Sequence, residues 1–237
     1  MLYITLPETL VGETHLSFYL AMEEYVARTI GEPNCFFIWQ VEPTVIFGRN
    51  QVMQNEVNTA YCRQHGIEMY RRKSGGGCVY ADKGNIMLSY ITKGDDVSFT
   101  FNRFMTMLIF VLRKLGVEAV GTTHNDVMIG DKKVCGTAFY QMPGRSIVHS
   151  TMLYDTNMQH MLNAITPSAE KLQKKGIESV RQRITFLKDY IGLNIEELKE
   201  FIRQTLCSGE WQLTPKDVDA IRQIEQEYLS REFIQRM

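Results

Sequence analysis

Met69-Tyr-Arg-Arg-Lys-Ser-Gly-Gly-Gly-Cys-Val-Tyr-Ala-Asp-Lys-Gly-Asn85 runs two arginines into three consecutive glycines. Ile67 and Met69 before the glycines, and Val79 and Tyr80 after them, are strand material, so the stretch reads as strand, loop, strand. Gly75, Gly76 and Gly77 are free to take φ > 0 and let a ligand approach the backbone. Successive N–H groups in such a turn form an anion-binding nest. Arg71 and Arg72 add fixed positive charge in the planar fork that grips phosphate or carboxylate. Taken alone, the same residues also describe a flexible turn beside two surface arginines, because glycine-rich loops are common.

Outward from this loop, strands alternate with helices. Leu2–Leu6 is a first strand, and Glu13–Thr29 carries apolar residues near helical spacing. Glu23 and Glu24 take the solvated face of that helix in this reading. Cys35–Val41 and Thr44–Phe47 read as short strands, and Gly48-Arg-Asn-Gln51 as a polar loop or a ligand-binding edge. Glu56–Gln64 is a short helix, Ile86–Ile91 a strand, and Phe99–Leu115 an apolar helix whose Phe104, Leu108 and Leu112 share a core face. Val117–Val120, Asp126–Ile129, Lys133–Gln141 and Ser146–Tyr154 follow as strands, with a tight turn at Gly130-Asp131. Met158–Tyr190 is rich in helix formers and basic residues, and Ile195–Leu206 and Pro215–Tyr228 are amphipathic helices. This order predicts an α+β fold with mixed or antiparallel sheets flanked by helices and a helical C-terminal part. We divide it as a domain over residues 1–190 and a helical extension of the same domain over 191–237, with no separate accessory domain.

Composition excludes several classes. With 237 residues, 44% hydrophobic and 22% charged, the chain suits one sizeable core. A formal net charge of −1 does not indicate a general nucleic-acid surface. The longest apolar run, Phe104–Leu112, is far short of a membrane span. The five cysteines (Cys35, Cys62, Cys78, Cys135 and Cys207) are odd in number and lack CxxC spacing, which fits a reducing cytoplasm better than a disulfide framework or a zinc site. The five histidines are scattered without metal spacing, so no metal ligands are expected from the protein.

A second informative stretch is His124-Asn-Asp-Val-Met-Ile-Gly-Asp-Lys-Lys-Val-Cys-Gly-Thr-Ala-Phe139. Strand alternation places Lys133 and Cys135 on one face. A lysine after a hairpin turn is usually solvated, and Lys133 gains a role only if it faces the glycine loop.

Together these stretches resemble the lipoate–protein ligases, relatives of the biotin ligases and of the octanoyl/lipoyl transferases. Arg71-Arg-Lys-Ser-Gly-Gly-Gly-Cys-Val-Tyr80, with Asp82, Gly84 and Asn85, is similar to the family's signature loop. Gly48-Arg-Asn-Gln51, Asn125-Asp126 with Lys133-Val-Cys-Gly136, His149-Ser-Thr-Met-Leu153 and Gly176-Ile-Glu-Ser-Val-Arg-Gln-Arg-Ile-Thr185 follow in the family's order. The resemblance implies a biotin/lipoate ligase-like catalytic domain. It places Arg72, Gly75, Gly76, Gly77, Cys78, Val79 and Tyr80 around lipoate and its adenylate, and Asn125 and Asp126 near the nucleotide. Lys133 becomes the catalytic lysine, touching the acyl carbonyl and the phosphate. The implied reagents are lipoate, ATP and Mg²⁺. The implied partners are lipoyl domains of 2-oxoacid dehydrogenase complexes and the glycine-cleavage H protein.

The chain departs from the family pattern at Ala81, where a His is usual, and at Ser150, where a Gly is usual. It ends near where many such ligases continue into a further small domain, so a separate accessory protein is one expectation for the adenylation step. Two other readings stay open. In one, the chain is an octanoyl/lipoyl transferase with Cys135 as nucleophile, its thiol activated by Lys133. In the other, it is a non-catalytic module that binds lipoate or lipoyl-AMP.

Overall fold

A computed structural model describes residues 1–10, 12–13, 15–94, 96–123, 126–165 and 183–235. In chain order the elements are β1 (Leu2–Thr5), α1 (Leu16–Thr29), β2 (Asn34–Trp39), β3 (Thr44–Phe47), α2 (Met53–Glu56), α3 (Thr59–Gln64), β4 (Glu68–Arg71), β5 (Val79–Ala81) and β6 (Asn85–Lys93). They continue as α4 (Val97–Lys114), β7 (Ala119–Gly121), β8 (Asp126–Ile129), β9 (Lys132–Met142), β10 (Arg145–Leu153), α5 (Met158–Ala164), α6 (Ile195–Leu206), β11 (Gly209–Gln212), α7 (Pro215–Leu229) and α8 (Arg231–Gln235). This is the α+β architecture expected, with helices on a mixed sheet.

The large sheet runs β11-β1-β2-β6-β10-β9-β8-β7. β1 pairs in parallel with β11 and β2, and the remaining pairs are antiparallel. At its centre, β6 is buried from Asn85 to Thr92, which is why its sequence reads as a near-continuous apolar run. Alternation along β6 sends Ile86, Leu88 and Tyr90 into a core with α4, while Met87 and Ile91 enter a second core with α1. A three-stranded sheet, β4-β3-β5, carries the glycine loop between β4 and β5.

Three expectations need correction. The helix expected over Glu56–Gln64 is two helices, α2 and α3, because Val57 leaves the helix to bridge Ile165 and Asn58 then caps α3 through Tyr61 N–H. The C-terminal part, expected to be mostly helical, also contributes strand β11 to the sheet edge beside β1. Most consequentially, Glu23 and Glu24 are not solvated but 3% and 1% exposed. α1 lies between the sheet on one side and α7 on the other, so it has almost no solvated face. The C-terminal helices start where capping dictates: Asn194 with Glu197 begins α6, and Thr214 with Asp217, followed by Pro215, begins α7.

Candidate active site

A cavity of about 420 Å³ opens where α1, both sheets and the glycine loop meet. That volume lies within the range of small-molecule sites. Leu16, Leu20, Trp39, Ile46, Val79 and Met87 supply apolar wall, while Arg72, Asp126, Lys133 and His149 supply charged and polar groups. Gly76, Gly77 and Cys78 complete the loop side, and Gly136, Thr137, Ala138 and Thr151 the sheet side. The cavity therefore suits a molecule with a greasy arm and an anionic head.

The glycine loop is built differently from a free nest. Of its three glycines only Gly76 has positive φ, at 90°. Its carbonyl lies against Gly48, where an added Cβ would meet that oxygen at 2.2 Å. Gly48 thus explains the Gly48-Arg-Asn-Gln51 stretch: it lets the loop close, and Arg49 N–H donates to the Ser74 carbonyl at 3.0 Å. Arg72 is 5% exposed and donates to the carbonyls of Gly75 (2.7 Å), Gly77 (2.7 Å) and Ile46 (3.1 Å). Arg71 donates to the carbonyls of Gly48, Arg49, Gln51, Phe233 and Ile234. Both guanidiniums therefore hold backbone, and neither is a surface charge. Burial pushes Arg72 down to about 10. Tyr80 does not line the cavity as expected. Alternation in β5 turns Val79 inward and sends Tyr80, 2% exposed, into the core with Val45, Cys62 and Met161. Gly75 likewise serves the loop through its carbonyl, and Asn125 lies outside the described residues, as does Gly176 to Gln182.

Lys133 lines the same cavity as Gly76, Gly77 and Cys78 of the glycine loop. Its Nζ is 2.7 Å from Asp126 Oδ1, and both side chains are about a third exposed. Gly136 makes this possible, because a Cβ there would meet Lys133 Nζ at 2.7 Å. The Lys133 carbonyl accepts from Thr185 N–H at 2.9 Å, which fixes the strand end.

Cys135 does not share the Lys133 face. A bulge sets Met128 opposite Lys133 but Val127 opposite Cys135, so Val134 is an extra residue and the alternation slips. Cys135 is fully buried in the core under α4, and burial pushes its thiol up to about 12. A buried thiol with raised pKa is inert, which overturns its candidacy as nucleophile. Cys135→Ala is accordingly expected to keep acyl transfer within about threefold of wild type by steady-state assay. Intact-mass analysis after thiol alkylation of the native protein should leave Cys135 unmodified.

Several contacts at the site are not legible in the sequence. His149 Nε2 is 2.7 Å from Ser74 Oγ, and its Nδ1 is 3.0 Å from Glu23 Oε2. Glu24 holds Lys73 of the glycine loop at 2.8 Å, and Glu227 of α7 holds the same ammonium at 2.7 Å. Two consecutive glutamates inside an otherwise apolar α1 were the available signal, since a helix buried all round exposes no face for them.

Residues 15–207 match the family model of the lipoyl protein ligase A/B catalytic domain. The chain is 35% identical over 213 residues to lipoate–protein ligase 1 of Staphylococcus aureus, spanning 86% of this chain and 65% of that relative's length. Among solved structures, a bi-partite lipoate protein ligase from Thermoplasma acidophilum, studied with its E2 lipoyl domain, superposes with a TM-score of 0.85 at 26% identity. That match covers 99% of this chain and 95% of that one. A lipoate-protein ligase A bound with ATP superposes with a TM-score of 0.81 at 25% identity, covering 98% and 96%. The match over 15–207, which takes in the glycine loop and the Lys133 hairpin, shows that the chain belongs to the lipoyl protein ligase A/B catalytic domain family.

Proposed function

We propose that this chain joins lipoate to AMP with ATP and then transfers the lipoyl group to a specific lysine of a lipoyl domain. The observation that carries this reading is the Lys133–Asp126 pair, which lines one cavity with the glycine loop and an apolar wall. A carboxylate is a poor acyl donor; its oxygen attacks the α-phosphorus of ATP, the bond to the β-phosphate breaks and pyrophosphate leaves, and the resulting mixed anhydride with AMP has a good leaving group. The acceptor amine attacks the acyl carbonyl, the C–O bond to phosphate breaks, and AMP leaves while the amine proton passes to solvent. The protein needs no nucleophile of its own, only positioning and charge stabilisation. Lys133 supplies an ammonium where negative charge grows on the carbonyl and phosphate oxygens. Leu16, Leu20, Trp39 and Met87 suit the dithiolane arm. Mg²⁺ would neutralise the ATP phosphates, and Asp126 is a carboxylate the cavity offers it.

The partners we propose are lipoyl domains of 2-oxoacid dehydrogenase complexes and the glycine-cleavage H protein, in the cytoplasm. No helix among the described residues is long and apolar enough to cross a membrane. The close match to a bi-partite ligase supports a further proposal, that a separate accessory protein assists adenylation here. The test is to mix purified protein with apo lipoyl domain and weigh the acceptor. A lipoyl mass gain from lipoate and Mg-ATP is expected if adenylation is self-sufficient. A gain from lipoyl-AMP alone assigns adenylation to an added protein. Binding of lipoyl-AMP with no gain under either condition contradicts transfer and leaves a binding module.

A further inference from the structure

A chain of hydrogen bonds crosses the wall of the cavity through five separate segments. Trp39 Nε1 lies 2.8 Å from Ser89 Oγ, and Ser89 Oγ lies 2.5 Å from Glu23 Oε1. Glu23 Oε2 is 3.0 Å from His149 Nδ1, and His149 Nε2 is 2.7 Å from Ser74 Oγ. An indole N–H is only a donor, so Ser89 accepts from Trp39 and its own hydrogen goes to Glu23. A carboxylate only accepts, so His149 Nδ1, 3.0 Å from Oε2 and 3.2 Å from Oε1, is the N–H donor to Glu23. Nε2 is left to accept from Ser74. The indole and the acceptor-only carboxylate fix the directions as far as Nδ1, and a ring carrying one proton fixes the last.

The order serine, histidine, carboxylate is also that of a nucleophilic triad. Burial decides against it: Ser74 is 1% exposed and is not among the residues lining the cavity, whereas His149 and Trp39 are. What the chain joins is the two kinds of wall. Ser74 begins the glycine loop. Trp39 belongs to the apolar lining and stacks on Tyr19 with ring centroids 4.7 Å apart.

We propose that Glu23 is a positioning residue for acyl transfer. It fixes His149 as its Nδ1–H tautomer and so holds the glycine loop through Ser74, and through Ser89 it holds Trp39 against the acyl arm. The proposal rests on the lipoyl-transfer reading. A glutamine at position 23 removes the charge and puts an NH2 donor in place of one oxygen, so His149 and Ser89 must share a single neutral acceptor. Sub-ångström looseness at a reacting centre is costly, and Glu23→Gln is expected to lower kcat/KM by about 10²-fold, chiefly in kcat. Ser89→Ala releases only the Trp39 arm and should raise the KM for lipoate.

The closing experiment pairs those kinetics with nitrogen NMR of protein labelled in its histidine rings, the His149 signals being assigned from a His149→Gln spectrum. A wild-type ring protonated at Nδ1, retained in Ser89→Ala and lost or mixed in Glu23→Gln, is the expected result. A wild-type ring protonated at Nε2 overturns the proposal without recourse to any Glu23 variant. So does a folded Glu23→Gln protein whose kcat/KM stays within about twofold. If wild-type protein with an Nδ1-protonated ring transfers nothing from lipoyl-AMP, the lipoyl-transfer reading fails and the role of Glu23 in it falls too, while the bond network stands.

Discussion

Lys133→Ala is expected to lower single-turnover lipoyl transfer from lipoyl-AMP by about 10²–10³-fold, the cost of removing one donor aimed at developing negative charge. Its ammonium stands on the cavity wall, 2.7 Å from Asp126, with Gly136 leaving room beneath it. Thermal stability should barely move, because an ion pair about a third exposed contributes little to folding. Lys133→Arg should not restore the rate: a planar fork is bulkier than the ammonium it replaces and presents its charge in a different geometry. The measurement is acceptor mass against time at saturating lipoyl-AMP. A folded alanine variant that keeps transfer within about tenfold of wild type would contradict the role assigned to Lys133.

Arg72→Leu should have the largest effect on the fold and on ligand binding together. The guanidinium, 5% exposed, satisfies the carbonyls of Ile46, Gly75 and Gly77, and leucine satisfies none. A buried acceptor left unpaired costs about 1–3 kcal/mol, and the Ile46 carbonyl is the least able to find water. Relaxation of the loop offsets part of the total. We expect a net loss of about 3 kcal/mol, or a midpoint lower by roughly 10 °C for a chain of this size. Binding of lipoyl-AMP, measured by calorimetry below the midpoint, should weaken in parallel because Gly76 and Gly77 lose their support. Arg72→Lys should recover only part, since three donors on one atom do not span three carbonyls. A midpoint unchanged within about 2 °C would show that the loop does not depend on Arg72.

Much of the fold was legible because periodicity carries it. β6 and β10 read as strands and α4 as an apolar helix, and each lies close to where the pattern put it. The Lys133 hairpin was legible from Gly130-Asp131, where Gly130 takes φ 60°. What failed was inference from alternation across a bulge. One extra residue at Val134 moved Cys135 to the opposite face from Lys133, and no residue type announces that slip. The carbonyl-gathering roles of Arg71 and Arg72 were hidden for a related reason. A guanidinium that grips an anion and one that gathers carbonyls have the same sequence, and only the burial of the loop separates them. Glu23 and Glu24 were read as solvated because a single chain does not show that α7, two hundred residues later, covers α1. Their partners Ser89, His149 and Lys73 come from three further segments, a constellation made by topology and not by spacing.

The central claim is that one cavity holds the acyl arm, the carbonyl and the phosphate of lipoyl-AMP between the glycine loop and Lys133. A crystal structure with a non-hydrolysable sulfamoyl analogue of lipoyl-AMP tests it most directly. The account predicts the dithiolane arm among Leu16, Leu20, Trp39 and Met87, and Lys133 Nζ within hydrogen-bond distance of the acyl carbonyl or the sulfamoyl oxygens. An analogue bound away from this cavity, or bound in it with Lys133 still turned wholly to Asp126, would contradict it.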